Sequence, residues 1–285
     1  MNVRALLDEA RAAAEAAGRF IASRRPGAVE RKAAGGDSPA SQVVTEVDRA
    51  SEAMIVEALE PSRVSYGLGL LTEERPDDGS RLSAPAFWCI DPLDGTLAYV
   101  ENEPGSSVCI ALVARDGTPL LGVVHDITRG TTLHGARGCG VWVGDAPWSS
   151  PKRGVNLRLF GDRSHRDDAR YDALAQRLRA DGPLQVEFAR AAATNAWAAL
   201  EYAPGVYAKL PKPGRGGGST WDFAATACIV QEAGGVATAF DGSPLRLNDP
   251  HTTFFSDTGV LFASSPEAAA AVQRASVGSS SFHAG

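Results

Sequence analysis

Two aspartates three positions apart, Asp91 and Asp94, stand in the segment Trp88-Cys-Ile-Asp-Pro-Leu-Asp-Gly-Thr96. Pro92 fixes φ between them, and Gly95 permits unusual φ after them, so the spacing predicts a tight, shaped turn. Carboxylates held this close repel each other. A hard cation such as Mg²⁺ relieves that repulsion, because it takes oxygen ligands and keeps positions open for water and phosphate. The plain alternative is an acidic turn on the surface.

Three more acidic stretches could join the pair. Thr72-Glu73-Glu74 follows an apolar run, where strand ends of α/β sheets present ligand-binding loops. Thr45-Glu46-Val47-Asp48 reads as a helix start in which Thr45 caps and an acid meets the positive helix end. Trp221-Asp222 opens a further helix, and its carboxylate also fits a first-turn position. Each has a purely structural reading by itself; their order along the chain is what joins them.

The elements that must carry these acids are legible in outline. Phe87 to Ile90 reads as a buried strand leading into Asp91. Residues 2 to 24 place Leu6, Leu7, Ala10, Ala14, Ala17 and Ile21 on one helical face. Residues 28 to 42, with Gly35-Gly36-Asp37-Ser38-Pro39, read as a mobile loop. A second helix is expected from Thr45 to Leu59, stopped by Pro61. Strands are expected at Val64 to Leu71, Val108 to Ala114 and Leu120 to His125, the last two joined by a hairpin at Asp116-Gly117, and near Trp142.

Later, strand patterns at 157–160, 184–188, 206–210, 236–240 and 260–263 alternate with helical ones at 169–180, 191–201 and 221–231. A short helix follows Pro266, and Asp241-Gly242 suggests a second hairpin. This change of pattern predicts two sub-domains: 1–150, α+β with a large antiparallel sheet, and 151–275, α/β, supplying Asp222 and substrate loops. Residues 276–285, rich in Ser and Gly, read as a disordered tail.

The 285 residues suffice for a sizeable core. A net charge of −6 argues against a nucleic-acid polymer or an anionic membrane as partner. No apolar run approaches a membrane span, and the Ala-rich, acid-bearing start is unlike a secretory signal. Cys89, Cys109, Cys139 and Cys228 form no C-x-x-C pair; Cys89, Cys109 and Cys228, in apolar runs, read as buried free thiols compatible with a reducing cytoplasm, with no support for zinc.

The order T-x-x-D, E-E, D-P-L-D-G-T, then W-D-x-A-A followed by E-A-G-G, resembles the inositol monophosphatase superfamily of Mg²⁺-dependent, lithium-sensitive phosphatases. The matching segments are 45–48, 72–74, 91–96 and 221–235. The resemblance implies a layered αβαβα sandwich and a phosphomonoesterase using two or three Mg²⁺ ions, with Mn²⁺ as an alternative. It implies that Glu73, Asp91 and the Leu93 carbonyl hold one ion, that Asp91, Asp94 and Asp222 hold a second, and that Glu74 stays outside the ligand set. Thr96, bonded to Asp48, would orient and deprotonate the attacking water, with Gly95 and Thr96 amides on phosphate. The family is often homodimeric, though nothing in the sequence marks an interface.

For the substrate, a small phosphorylated metabolite, Gly161-Asp-Arg-Ser-His165 resembles a segment of the branch that acts on 3′-phosphoadenosine 5′-phosphate. His165 could equally be a surface loop residue. Cations Lys209, Lys212 and Arg215 stand where inositol monophosphatases place a Glu for sugar hydroxyls, and cations suit a second phosphate. The expectation is a 3′(2′),5′-bisphosphate nucleotidase, with inositol-1-monophosphatase or another sugar phosphatase as the alternative and a non-catalytic homologue behind them. Two departures fall on the leaving-group side: Leu97-Ala98-Tyr99 after Thr96, and Ala191-Ala-Ala-Thr194, where Thr194 is the expected substrate contact.

Overall fold

The computed structural model describes residues 1–24, 29–31, 43–151, 154–188 and 190–276. The expected mobile loop, apart from 29–31, and the expected tail beyond Ser276 lie outside these residues.

Helix α1 (Val3–Ala22) buries the predicted Leu6, Leu7, Ala10, Ala14, Ala17 and Ile21 face. A small β1–β2 pair (Val29–Arg31, Val43–Thr45) leads into α2 (Glu46–Tyr66). Pro61 does not stop α2, contrary to expectation. Its ring lies on the exposed side, while Ser62 on the buried side accepts from Trp88 Nε1 at 3.2 Å and holds the next turn to the sheet. The helix ends instead at left-handed Gly67, so Val64 and Tyr66 are helical and exposed.

A seven-stranded sheet follows: β3 (Gly69–Thr72), β4 (Ala86–Asp94), β5 (Ser107–Ala114), β6 (Pro119–Asp126), β7 (Thr131–Ala136), β8 (Gly140–Val143) and β9 (Ala146–Pro147), ordered as in the sequence. Only β3–β4 is parallel. Short helices α3 (Ser80–Ser83) and α4 (Thr96–Val100) flank β4.

The second sheet has the order β11-β10-β12-β14-β13, from β10 (Leu157–Phe160), β11 (Leu184–Glu187), β12 (Gly205–Lys209), β13 (Val236–Thr238) and β14 (Val260–Ala263). Strands β10, β11 and β12 are parallel; β14 is antiparallel to both neighbours. Asp241-Gly242 makes a turn but not the expected hairpin, because β13 pairs with distant β14.

Helices α6 (Ala192–Glu201) and α7 (Thr220–Glu232) lie between the sheets, and α5 (Ala169–Asp181) and α8 (Pro266–Ser276) cover the far side of the second. With α1 and α2 outside the first sheet, the expected αβαβα sandwich is complete. One buried cluster runs through the middle layer, from Phe87 and Cys109 through Trp197 and Phe223 to Tyr207 and Phe262.

At Gly122 on β6, α7 packs tightly against the first sheet. A Cβ there would stand 2.1 Å from the Ala225 carbonyl oxygen. A Gly122→Val change should therefore push α7 outward and cost about 1–3 kcal/mol or more in denaturant unfolding. Wild-type stability in that variant would show that the close approach is unimportant.

Candidate active site and metal centre

Asp91 and Asp94 are not in a turn after the strand; they are part of it. β4 continues through Pro92 and Leu93, and its register against β5 slips between Asp91↔Cys109 and Asp94↔Ser107. Three steps along β4 match two along β5, which is a bulge. A bulge also tolerates a proline inside a paired strand. The extra residue has a further effect. Side chains alternate faces along a strand, so residues three apart should point to opposite sides. One inserted residue reverses that parity and brings both carboxylates to the same side.

Asp222 completes the group. It is the third residue of α7, and its Oδ2 accepts from the Ser219 amide at 2.5 Å. Carboxylate oxygens of Asp91, Asp94 and Asp222 lie within 4.8 Å of one another. Asp94 Oδ2 accepts from the Ala193 amide at 2.9 Å and from Ser107 Oγ at 3.3 Å. Asp91 Oδ1 accepts from the Leu93 amide at 3.0 Å. Ser51 on α2 donates to the Pro92 carbonyl at 3.0 Å and fixes the bulge from the other side.

Asp48 repeats the design of Asp222. It is the third residue of α2 and accepts from the Thr45 amide at 2.8 Å. The capping reading of these two acids therefore holds, and it leaves their other carboxylate oxygens turned to the acidic centre and to Thr96. The other Asp48 oxygen lies 2.8 Å from Thr96 Oγ1, which is also 3.1 Å from the Leu93 carbonyl. Gly95, at φ 84°, turns the chain here; a Cβ would press to 2.7 Å from the Ala191 Cβ.

Glu73 follows β3, its amide bonded to the Ile90 carbonyl at 3.2 Å. It lies outside the tight triad, yet its charge acts on Asp91, Asp94 and Asp48. Buried Glu52 holds this corner, accepting from the Glu74 amide at 2.9 Å and from Arg75 Nε at 2.7 Å. Glu52 and Ser51 escaped the sequence reading. Their signal was the Asp48, Ser51, Glu52 spacing, which places all three on one face of α2.

Burial, followed by mutual repulsion, raises the Asp91 and Asp94 carboxyls well above the usual range. Burial also raises Asp222, against the pull of Lys209 and of the Ser219 amide, and raises Asp48 against its bonds to Thr45 and Thr96. This all-oxygen, mutually repelling set fits a hard divalent cation, and the Leu93 carbonyl has a second lone pair to add.

The expected substrate contacts are placed less uniformly. Thr194 is fully buried and donates to the Gly105 carbonyl at 2.7 Å, so it fastens a loop to α6. Arg215 is exposed and rests 4.7 Å from the Phe254 ring centroid. Its loop is laced to 253–256 by Lys212, Gly218 and Thr220 backbone bonds. His165 is neither exposed nor in an open loop; it is buried and stacked 4.8 Å from Tyr171. The cysteines are free, and burial raises the Cys89, Cys109 and Cys228 thiols, Cys228 to about 12, away from the thiolate a nucleophile needs.

A sequence profile of the inositol monophosphatase family matches residues 2–279, and the chain belongs to that family. Its members are metal-dependent phosphatases, and the chain is accordingly a phosphoric monoester hydrolase acting on small phosphorylated substrates. It is 30% identical over 221 residues to an inositol-1-monophosphatase of Synechocystis sp., covering 73% of this chain and 71% of that one. It is also 30% identical over 211 residues to a 3′-phosphoadenosine 5′-phosphate phosphatase of Mycobacterium leprae, covering 73% and 74%. The structure of an inositol monophosphatase from Anabaena matches with a TM-score of 0.69 at 26% identity, over 96% of both chains. Among the described residues, no helix is long and apolar enough to cross a membrane.

Raised carboxyls bind more protons folded than unfolded. Their contribution to stability is therefore greatest below the unfolded value, about 4, and is lost as pH rises through the raised values. Chelator-treated protein should show this loss as pH rises above about 4. Mg²⁺ should reverse it, adding about 2.7 kcal/mol at a hundredfold excess over Kd. Asp94→Asn should raise the metal-free melting midpoint at neutral pH and shrink the Mg²⁺ response. A wild-type midpoint indifferent to Mg²⁺ counts against the metal centre.

Proposed function

We propose that this chain is a Mg²⁺-dependent phosphomonoesterase in which Glu73, Asp91, Asp94, Asp222 and the Leu93 carbonyl hold two or three ions, Mn²⁺ being an alternative. The observation that carries this is the trio of carboxylates, from a bulged strand and a helix start, converging within 4.8 Å. Bound there, the ions supply neutralisation of phosphate charge and a more acidic water.

The chain's own groups do the rest. The attacking water donates to Thr96 Oγ1, whose hydroxyl proton passes to Asp48 Oδ1, 2.8 Å away. Burial raises Asp48 and suits it to take that proton. The Gly95 and Thr96 amides receive phosphate oxygens, and the water comes in line with the leaving alcohol. The site lies between two sub-domains that meet near residue 150. The free, buried cysteines support a cytoplasmic enzyme, and the family's habit supports a homodimer.

Two readings of the alcohol half have support. A 3′(2′),5′-bisphosphate nucleotide is favoured by the cations Lys212 and Arg215 near the start of α7 and by the Mycobacterium leprae relative's activity. Inositol 1-phosphate is favoured by Lys209, which is paired with Asp162 at 2.5 Å and so already neutralised.

Phosphate release from 3′-phosphoadenosine 5′-phosphate, myo-inositol 1-phosphate and fructose 1,6-bisphosphate ranks these esters. Thr96→Ala and Asp48→Asn should each lower kcat by about 10²–10⁴-fold with little change in KM. Release that persists in excess chelator would sink the metal mechanism.

A further inference from the structure

Strands β10 and β12 are parallel neighbours, and residues at the carboxyl ends of such strands face the ligand crevice of an α/β sheet. Asp162 stands two residues beyond β10, and Lys209 is the last residue of β12. Lys209 Nζ lies 2.5 Å from Asp162 Oδ2. The other carboxylate oxygen accepts from the Tyr207 hydroxyl at 2.9 Å.

Two helix starts tie this pair to the acidic centre. In the first turn of α6, the Ala193 amide donates to Asp94 at 2.9 Å, and Asn195 Nδ2 reaches Asp162 Oδ1 at 3.5 Å. In the first turn of α7, the Phe223 ring lies 5.8 Å from Lys209 Nζ, and Phe223 is bonded in sequence to Asp222. The pair is therefore wedged between the Asp94 and Asp222 sides of the centre. Its side chains keep 16% and 17% of their surface exposed, enough to meet a ligand. Burial works against both charges, yet mutual attraction leaves Lys209 raised and Asp162 lowered, so both remain ionised.

A fixed ammonium–carboxylate pair has no net charge to offer a second phosphate. It does offer donors on Lys209 and acceptor lone pairs on Asp162, and a hydroxyl uses both. Drawing Lys209 onto a phosphate would strand the Asp162 carboxylate beside another anion. We propose that the Lys209–Asp162 pair selects the substrate: it reads the alcohol half through neutral hydroxyl groups, and Asp162 withholds Lys209 from a second phosphate. This rests on the phosphatase reading of the acidic centre.

The test compares kcat/KM for myo-inositol 1-phosphate and for 3′-phosphoadenosine 5′-phosphate, each divided by that for p-nitrophenyl phosphate, whose leaving group has neither hydroxyl nor second phosphate. Lys209→Met should lower the inositol ratio by about tenfold, mainly through KM. Asp162→Asn should raise the bisphosphate ratio by about fivefold. Both ratios unchanged in folded variants would overturn the proposal, whatever happens to absolute rates. If either variant fails to fold, Tyr207→Phe decides: it removes one bond from Asp162 and should move the bisphosphate ratio upward by a smaller factor, and no movement overturns the proposal. A wild type that releases phosphate from none of the three esters with Mg²⁺ present defeats the phosphatase reading itself, a result distinct from unchanged ratios.

Discussion

Two buried carboxylates and a half-buried third, pressed within 4.8 Å of each other, are an arrangement that a protein interior disfavours. The surroundings of Asp91, Asp94 and Asp222 are organised against that tension. Backbone amides of Leu93, Ala193 and Ser219 each donate to one of them, and Ser107 adds a hydroxyl. These neutral donors steady the oxygens without cancelling their charge. What is left is a strong, localised demand for cations, built on rigid elements.

The means of presentation are economical in parts. A register slip in β4 turns two aspartates to one side, and a helix start presents Asp222. Asp48 is delivered the same way by α2. In both helices the acid that closes the first turn is also the group facing the site, so helix initiation and site assembly are one event. Loss of Asp222 or Asp48 would fray a helix as well as empty a position.

Much of this was legible in the residues, and the failures have physical causes. The acids declared themselves through type and order. Their shared orientation did not, because the bulge exists only in the pairing of β4 with β5, a long-range fact. Pro61 was read as a stop since local rules make it one; burial of Leu59 and Ser62 overrode them. Strand β7, Thr-Thr-Leu-His-Gly-Ala, has no apolar run and is strand only because β6 and β8 flank it. Asp162 stands out in the sequence only as part of the Gly161 to His165 segment; its pairing with a lysine 47 positions away across parallel strands leaves no local signal. Arg215 and His165 were read by charge and spelling, but an aromatic neighbour decides where each one rests.

The division of parts between the two sheets has an evolutionary consequence. Asp91, Asp94, Glu73 and Thr96 stand on or beside the first sheet, and α7 brings Asp222 across to them. The groups proposed to meet the alcohol, Asp162 and Lys209, stand at the ends of β10 and β12, in the other sheet. The continuous core through α6 and α7 keeps the two sets in fixed relation. Residues at those strand ends can therefore be exchanged by drift while the strands and helix that carry the acids keep their places. A lineage with this architecture can change its diet while its chemistry stands still.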